Sequence, residues 1–295
     1  MRQEFKRLST ALILMCAGIM LPAFVNDHPQ SIQIQEERWI LPVPLPMRGY
    51  VVRPVGDGPF PLVVMNHGIS RSAEERGYFP PLEFRDAALW FARRGNLVVV
   101  PIRPGYGESA ADIPELGIYA IDYTSIGECS HPDFRDPGLA IAEMDEWVID
   151  YMVREGLALP DGVIVVGQSG GGWGAIALSS KNPAAVRALI TFEAGRGGDL
   201  GGKPNNNCAP DKLVEATREF GRTSRIPMLW LYTENDTFFG PALSKRMHEA
   251  FSGAGGNAEY HLLPAFRSEG HFLIDSPDAL AIWTPLVSHF LDQHR

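Results

Sequence analysis

The sequence has few cysteines, and they do not form a metal-binding pattern. Cys16, Cys129 and Cys208 are the only three among 295 residues. None of them belongs to a group with the Cys/His spacing that is typical of zinc sites. The sequence therefore predicts no metal site.

Positive charge is also in deficit. Lys and Arg number 26 against 35 Asp and Glu, which gives a formal net charge of −9 at pH 7. Nucleic acids and anionic membrane surfaces bind basic proteins, so this balance argues against both as partners. A strongly anionic substrate is disfavoured too, unless a local basic patch overrides the net charge. No internal repeat or low-complexity tract is present.

Long hydrophobic runs are missing except near the N-terminus. The run from Ala11 to Val25 has 15 residues, whereas a membrane-spanning helix needs about 20. Arg2, Lys6 and Arg7 precede it, which is the layout of a secretory signal peptide. We predict a signal peptide over residues 1–26 and export to the periplasm or the exterior. Because no clear cleavage site follows the run, an uncleaved membrane anchor is the alternative.

Export changes the interpretation of the cysteines. Cys129 and Cys208 would be the pair that remains in the mature chain, residues 27–295. In an oxidising compartment an even pair favours a disulfide. Two buried free thiols are the alternative.

Short apolar runs alternate with segments of helical spacing along the rest of the chain. Buried strands are predicted at 60–65, 97–100, 163–166, 188–192, 228–232 and 259–263, with an edge hairpin from 32–35 and 47–52. Strands that alternate with helices indicate an α/β fold with a mostly parallel sheet. We predict one domain with about eight strands flanked by helices. The stretch from Tyr106 to Pro137 lacks clear periodicity, and loops of this length are usually functional or disordered.

The most informative segment is the turn after the strand at 163–166. Its sequence, Gly167-Gln168-Ser169-Gly170-Gly171-Gly172, is followed by the apolar helix pattern of 173–178. Strand, Gly-x-Ser-x-Gly and helix together predict a nucleophile elbow, which presents the serine hydroxyl at a helix N-terminus. Ser169 is therefore the candidate nucleophile.

A nucleophilic serine needs a base and an acid, and after this kind of elbow the chain order is Ser, then Asp or Glu, then His. Asp236 follows the strand at 228–232 and is the predicted acid, with Glu234 and Glu193 as rivals. His271 follows the last predicted strand and is the predicted base.

The developing oxyanion needs two N–H donors, one after the serine and one from the loop after the first buried parallel strand. We expect these to come from Gly170 and Ile69, and we expect His67 to shape the second loop. Two loops, 106–137 and 195–210, should lie over the carboxyl edge of the sheet, where ligands bind. Tyr106 and Arg196 in these loops are candidate substrate-binding residues, although an arginine in a glycine-rich loop equally often braces the loop.

These segments resemble the α/β-hydrolase superfamily and, within it, the dienelactone hydrolase-like group. The resemblance runs from about Phe60 to Phe290 and rests on six segments: 66–68, 103–109, 167–174, 192–198, 229–236 and 270–271. Dienelactone hydrolase itself uses a cysteine nucleophile, whereas this chain has Ser169.

The resemblance and the serine together imply an esterase that acts on a small-molecule ester, with a lactone as one such substrate, and with neither metal nor organic cofactor. Three alternatives stay open. The first is a peptidase or amidase of the prolyl-oligopeptidase-like kind, although those enzymes usually carry a further large domain. The second is acyl transfer or perhydrolysis at the same site. The third is a binding protein that kept the fold and lost the chemistry. No stable membrane partner is expected after export, and no oligomeric state is predicted.

Overall fold

One eight-stranded sheet organises the part of the chain that the structure describes. The structure is a computed structural model, and it describes residues 32–70, 73–78, 84–112 and 125–295. The predicted signal peptide and residues 113–124 of the long predicted loop lie outside the described residues. The unit 32–295 forms one compact body.

The sheet is mostly parallel, as predicted. The strands are β1 (Ile34–Leu41), β2 (Met47–Pro54), β3 (Leu62–Asn66), β4 (Leu97–Ile102), β5 (Val163–Gln168), β6 (Val186–Phe192), β7 (Met228–Thr233) and β8 (Ala258–Leu263). Their order across the sheet is β1-β2-β4-β3-β5-β6-β7-β8. Only the pairs β1–β2 and β2–β4 are antiparallel among these strands.

Helices cover both faces of the sheet. They are α1 (Ala73–Gly77), α2 (Arg85–Ala92), α3 (Gly107–Asp112), α4 (Arg135–Arg154), α5 (Ser169–Lys181), α6 (Pro210–Thr223), α7 (Pro241–Gly253) and α8 (Leu280–Gln293). One buried cluster joins the sheet to α4, α5, α6 and α7, and a second joins its other face to α2 and α8. Strands covered on both faces must be apolar throughout, which explains the continuous Val/Ile/Leu runs of β3, β4 and β5.

The structure differs from the prediction in two short helices and at the ends of other elements. No helix was predicted at α1 or at α3, and α3 lies within the predicted loop from Tyr106 to Pro137. β1 extends to Leu41 because its half-buried residues continue to pair with β2. α4 begins at Arg135, before its first predicted position at Ile141, and Pro137 falls in its first turn, where a missing N–H costs little. The C-terminal helix begins at Leu280 rather than Pro277, after two short 3₁₀ turns. Among the described helices, none combines the length and the apolar character needed to cross a membrane.

The strand order brings the loops that carry the predicted site residues to one edge of the sheet. β3, β5, β6, β7 and β8 run parallel, so their carboxyl ends meet at one edge. The turn at Ser169 leaves β5 between the loops that follow β3 and β6. Asp236 follows β7 and His271 follows β8 at the same edge, so residues from five connections come together there.

Candidate active site

Ser169 occupies a strained turn between β5 and α5. It is the first residue of α5, and its φ of 51° lies in the left-handed region, which a non-glycine residue adopts only at a cost. The turn also depends on a close approach, since a Cβ atom on Gly171 would lie 2.4 Å from the carbonyl oxygen of Asn66. The tight turn thus places Ser169 at the N-terminus of α5, as the elbow pattern predicts.

His271 and Asp236 form a buried pair. The imidazole Nδ1 donates to Asp236 Oδ1 at 3.1 Å, and the two side chains are 2% and 0% exposed. Asp236 Oδ1 also accepts from the backbone N–H groups of Phe238 at 2.7 Å and Phe239 at 3.1 Å. With Nδ1 committed to Asp236, Nε2 is the imidazole atom left for proton transfer. Among the described residues, no hydrogen bond joins His271 to Ser169.

The backbone of His271 is held from two sides. Its N–H donates to Glu269 Oε1 at 2.9 Å, and Glu269 also binds the backbone N–H and the hydroxyl of Thr237 in the loop that carries Asp236. Its carbonyl oxygen accepts from Gln168 Nε2 at 2.8 Å. Gln168 directly precedes Ser169, so this bond links the base to the elbow. Sequence patterns gave no signal for either contact beyond adjacency to the motif residues.

Gly270 allows the loop after β8 to approach the loop after β7. A Cβ atom at this position would lie 1.9 Å from Thr233 Oγ1. Asn235 supports the same junction, because its side chain accepts from the Phe266 N–H at 2.9 Å and donates to the carbonyl oxygens of Phe266 and Arg267. The loop after β7, which carries Asp236, and the loop after β8, which carries His271, are therefore joined by hydrogen bonds other than the His271–Asp236 bond.

The rival acids occupy other positions. Glu234 is exposed. Glu193 is fully buried at the end of β6 with a φ of 45°, and neither of its carboxylate oxygens has a hydrogen-bond partner among the described residues. Burial, reinforced by the negative charges of Asp236, Asp275 and Glu269, holds the pKa of Glu193 well above its usual range. Of the three carboxyls, Asp236 is the one that binds the imidazole.

A cavity of about 900 Å³ opens beside Ser169. Ile69, Gly170, Arg196 and His271 line it together with Ser169. Gly170 lies in the first turn of α5, where backbone N–H groups lack helical acceptors. A Cβ atom on Gly170 would lie 2.4 Å from Ile69 Cγ1, so the two predicted oxyanion donors are neighbours. The structure brings five sequence-predicted site residues to one cavity.

Tyr106 is not among the residues that line this cavity. It is 1% exposed, and its ring packs edge-on against His67 with the centroids 4.6 Å apart. Arg103 lies over the same ring at 5.4 Å. The ring of Tyr106 is therefore packed against His67 in the loop after β3 instead of lining the cavity, and this placement does not support the expectation that Tyr106 binds substrate.

Arg196 is half-buried in the cavity lining. Burial lowers the pKa of its guanidinium to about 10, so the group is still a cation at neutral pH.

A disulfide joins Cys129 and Cys208, as predicted for an exported chain, with the two Cα atoms 5.1 Å apart. Cys129 lines the cavity, and the Cys208 N–H donates to the Gly197 carbonyl oxygen at 2.8 Å. The bond therefore ties the segment around 129 to the glycine-rich loop after β6.

The arrangement combines a hydroxyl at a helix N-terminus with an imidazole that a carboxylate orients, and the two residues predicted to bind the oxyanion line the same cavity. These are the groups that acyl transfer uses. Within the described ranges, no group of three His, Cys, Asp or Glu side chains is placed to hold a metal ion.

Solved structures share this architecture. A protein of Klebsiella pneumoniae subsp. pneumoniae MGH 78578, assigned as a dienelactone hydrolase, aligns with 88% of this chain and 98% of its own at a TM-score of 0.58 and 19% identity. The acylaminoacyl peptidase of Pyrococcus horikoshii aligns with 90% of this chain at a TM-score of 0.60 and 14% identity. The chain has the α/β-hydrolase fold.

A third structural neighbour is a puromycin-hydrolysing peptidase of Mycobacterium tuberculosis, with a TM-score of 0.57, 18% identity and 88% of this chain aligned. This chain spans 42% of the Pyrococcus peptidase and 40% of the Mycobacterium peptidase, but nearly the whole of the Klebsiella protein. No protein-family model and no curated protein matches the sequence.

Proposed function

We propose that this protein is a serine hydrolase that cleaves carboxylic esters through an acyl-enzyme intermediate. The observation that carries the proposal is the pairing of His271 with buried Asp236 at a cavity that Ser169 also lines. An imidazole held in this way can act as a base towards a hydroxyl on its other side. The small-molecule ester enters the cavity, and no cofactor takes part.

In the proposed mechanism Ser169 Oγ attacks the ester carbonyl while His271 Nε2 takes its proton. Asp236 orients the imidazole and stabilises the imidazolium that forms. The amides of Gly170 and Ile69 bind the oxyanion of the tetrahedral intermediate. His271 then protonates the leaving alcohol, and water releases the acyl group by the same route in reverse.

The dienelactone hydrolase from Klebsiella, which aligns over 98% of its own length, supports an ester as the substrate. The acylaminoacyl and puromycin-hydrolysing peptidases among the neighbours keep a peptide or amide substrate as the alternative. A lactone is an internal ester and meets the same requirements. Acyl transfer to an acceptor other than water would use the same residues. Export is part of the proposal, and the Cys129–Cys208 disulfide supports it.

The decisive experiment compares p-nitrophenyl esters of increasing acyl length with the matched anilides. We expect the protein to cleave esters and spare anilides, and Ser169→Ala to lose activity, while Ser130→Ala at an exposed position retains it. Fluorophosphonate should label the protein at Ser169. Faster cleavage of anilides than esters would favour the peptidase alternative, and absence of both cleavage and labelling would contradict a serine hydrolase.

A further inference from the structure

Arg103 lies directly after β4 and is only 2% exposed. A guanidinium taken out of water is costly unless its N–H groups find acceptors. The mechanism proposed above gives Arg103 no task. The acceptors that it binds therefore indicate what it does.

Two of these acceptors are successive carbonyl oxygens of the loop after β3. Arg103 Nη1 donates to the His67 carbonyl oxygen at 2.8 Å, and Nη2 donates to the Gly68 carbonyl oxygen at 2.6 Å. β3 and β4 are adjacent and parallel, so the loops that follow them meet at the carboxyl edge. The planar fork of an arginine can hold two neighbouring oxygens in a fixed relationship, whereas a lysine cannot.

The imidazole of His67 donates a second hydrogen bond to the Gly68 carbonyl oxygen. The Arg103 backbone N–H points to His67 Nε2 at 3.1 Å; since an amide can only donate, Nε2 must be the acceptor. Burial, with the nearby Arg103 charge, holds the pKa of His67 well below its usual range, so the ring is neutral. The proton then resides on Nδ1, which donates to the Gly68 carbonyl oxygen at 2.8 Å. The contact of Arg103 Nη2 with Nδ1 at 3.0 Å is consequently not a hydrogen bond.

The orientation of one carbonyl decides the orientation of the next amide. Across a planar trans peptide the C=O and N–H bonds point in opposite directions, and the cis peptide of the described chain is at Gly58–Pro59, not here. The Gly68 carbonyl points to Arg103, which does not line the cavity, while Gly68, Ile69 and Ser169 do. The Ile69 N–H makes no hydrogen bond among the described residues.

We propose that Arg103 and His67 are positioning residues that hold the Gly68 carbonyl away from the cavity and thereby aim the Ile69 N–H at the oxyanion. Without them Gly68, which has no side chain to restrict it, could rotate the peptide and present a carbonyl oxygen to a developing negative charge. Tyr106 packs against both residues from below. This inference rests on the proposed function, because an oxyanion forms only if Ser169 attacks a carbonyl.

The test uses fluorophosphonate, because the phosphonyl oxygen of the adduct occupies the oxyanion position whatever the natural substrate is. Loss of one oxyanion donor costs about 100- to 1,000-fold in kcat in a characterised serine hydrolase. We expect Arg103→Lys to lower the rate of Ser169 labelling and the kcat of ester hydrolysis by the same factor, about 10 to 100. The KM for the ester should change less than about threefold. Affinity for a phenylboronic acid should fall by the same factor. Arg53→Met, on β2 and away from the cavity lining, is the control and should change none of these values.

His67→Phe provides a second variant that keeps a ring against Tyr106 but removes both hydrogen bonds. A crystal structure of either folded variant should show the Gly68–Ile69 peptide rotated, with the Gly68 carbonyl facing the cavity. Unchanged labelling and boronate affinity in Arg103→Lys, or an unrotated peptide in both variants, would overturn the inference. If the wild type is neither labelled nor active on esters, the proposed function fails, and the peptide orientation in the crystal structures still decides between the two arrangements.

Discussion

The phenyl ring of Phe238 lies parallel to the imidazole of His271, with ring centroids 3.9 Å apart and planes inclined by 14°. Phe238 is two residues beyond Asp236, the hydrogen-bond partner of the same imidazole, and its own N–H donates to Asp236. One short segment therefore contacts the ring of His271 both at its edge and on its face. The face of a phenyl ring carries partial negative charge and attracts cations.

The stack predicts a contribution of Phe238 to catalysis. His271 becomes an imidazolium in the transition state, and a cation on an aromatic face gains about 0.5–2 kcal/mol, or about 2- to 30-fold in rate. We expect Phe238→Leu to lower kcat of ester hydrolysis within this range, and Phe238→Tyr to remain close to wild type. If Leu and Tyr variants have equal kcat, the ring serves only as apolar cover.

A second prediction distinguishes the roles of the two buried carboxyls, Asp236 and Glu193, in catalysis. Asp236→Asn keeps the size of the side chain but removes the charge and favours the wrong imidazole tautomer, and the equivalent change in a serine protease lowers kcat by about 10⁴. Glu193→Gln should change kcat by less than about threefold, because Glu193 does not contact His271 and its raised pKa already favours the neutral form. A larger loss in Glu193→Gln than in Asp236→Asn would reverse the assignment of the acid.

A third prediction concerns Asp145 of α4, which is completely buried. Burial raises the pKa of this carboxyl to about 7, against the smaller opposing effects of Asn66 and the Arg103 charge. The folded state therefore holds a proton that the unfolded state releases above about pH 4. As the pH rises from about 4 to 7, the proton held by Asp145 in the folded state alone should lower the free energy of unfolding by up to about 1.4 kcal/mol per pH unit.

Asp145→Asn should remove that slope. Measured by urea unfolding, the variant should gain stability relative to wild type between pH 5 and pH 8. Asp150→Asn, at an exposed position of the same helix, is the control and should follow the wild-type curve. Parallel curves for wild type and Asp145→Asn would show that the carboxyl is ionised throughout this range.

A fourth prediction addresses the disulfide. Cys129 and Cys208 are 79 residues apart, and a crosslink that closes a loop of this length typically adds about 2–4 kcal/mol to the free energy of unfolding. The double variant Cys129→Ser/Cys208→Ser should unfold at a lower urea concentration, and its free energy of unfolding should be lower than that of wild type by about 2–4 kcal/mol. Because Cys129 lines the cavity, the variant should also discriminate less sharply among ester chain lengths. Two titratable thiols in the native protein would contradict the bond.

Local patterns alone predicted the α/β class, the elbow at Ser169, and the order in which an acid and a base follow it. These features are encoded over a few residues: an apolar run specifies a strand covered on both faces, and glycines around a serine specify a turn that no other residue fits. Element ends were less accurate, since pairing with β2 lengthens β1 and two short turns delay α8.

The tertiary structure alone decided which side chains meet. Gln168 binds His271 across 103 residues of chain, and Arg103 binds His67 across 36. Such contacts depend on the tertiary structure. The strand order makes β3 and β4 neighbours, which brings Arg103 to His67, whereas the loop after β8 contacts Gln168 at the end of β5, three strands away. The fold also packs Tyr106 against His67, and Tyr106 does not line the cavity. Strand order follows from how the apolar faces pack in three dimensions, so the sequence on its own determined the parts of the site, and the fold determined their contacts.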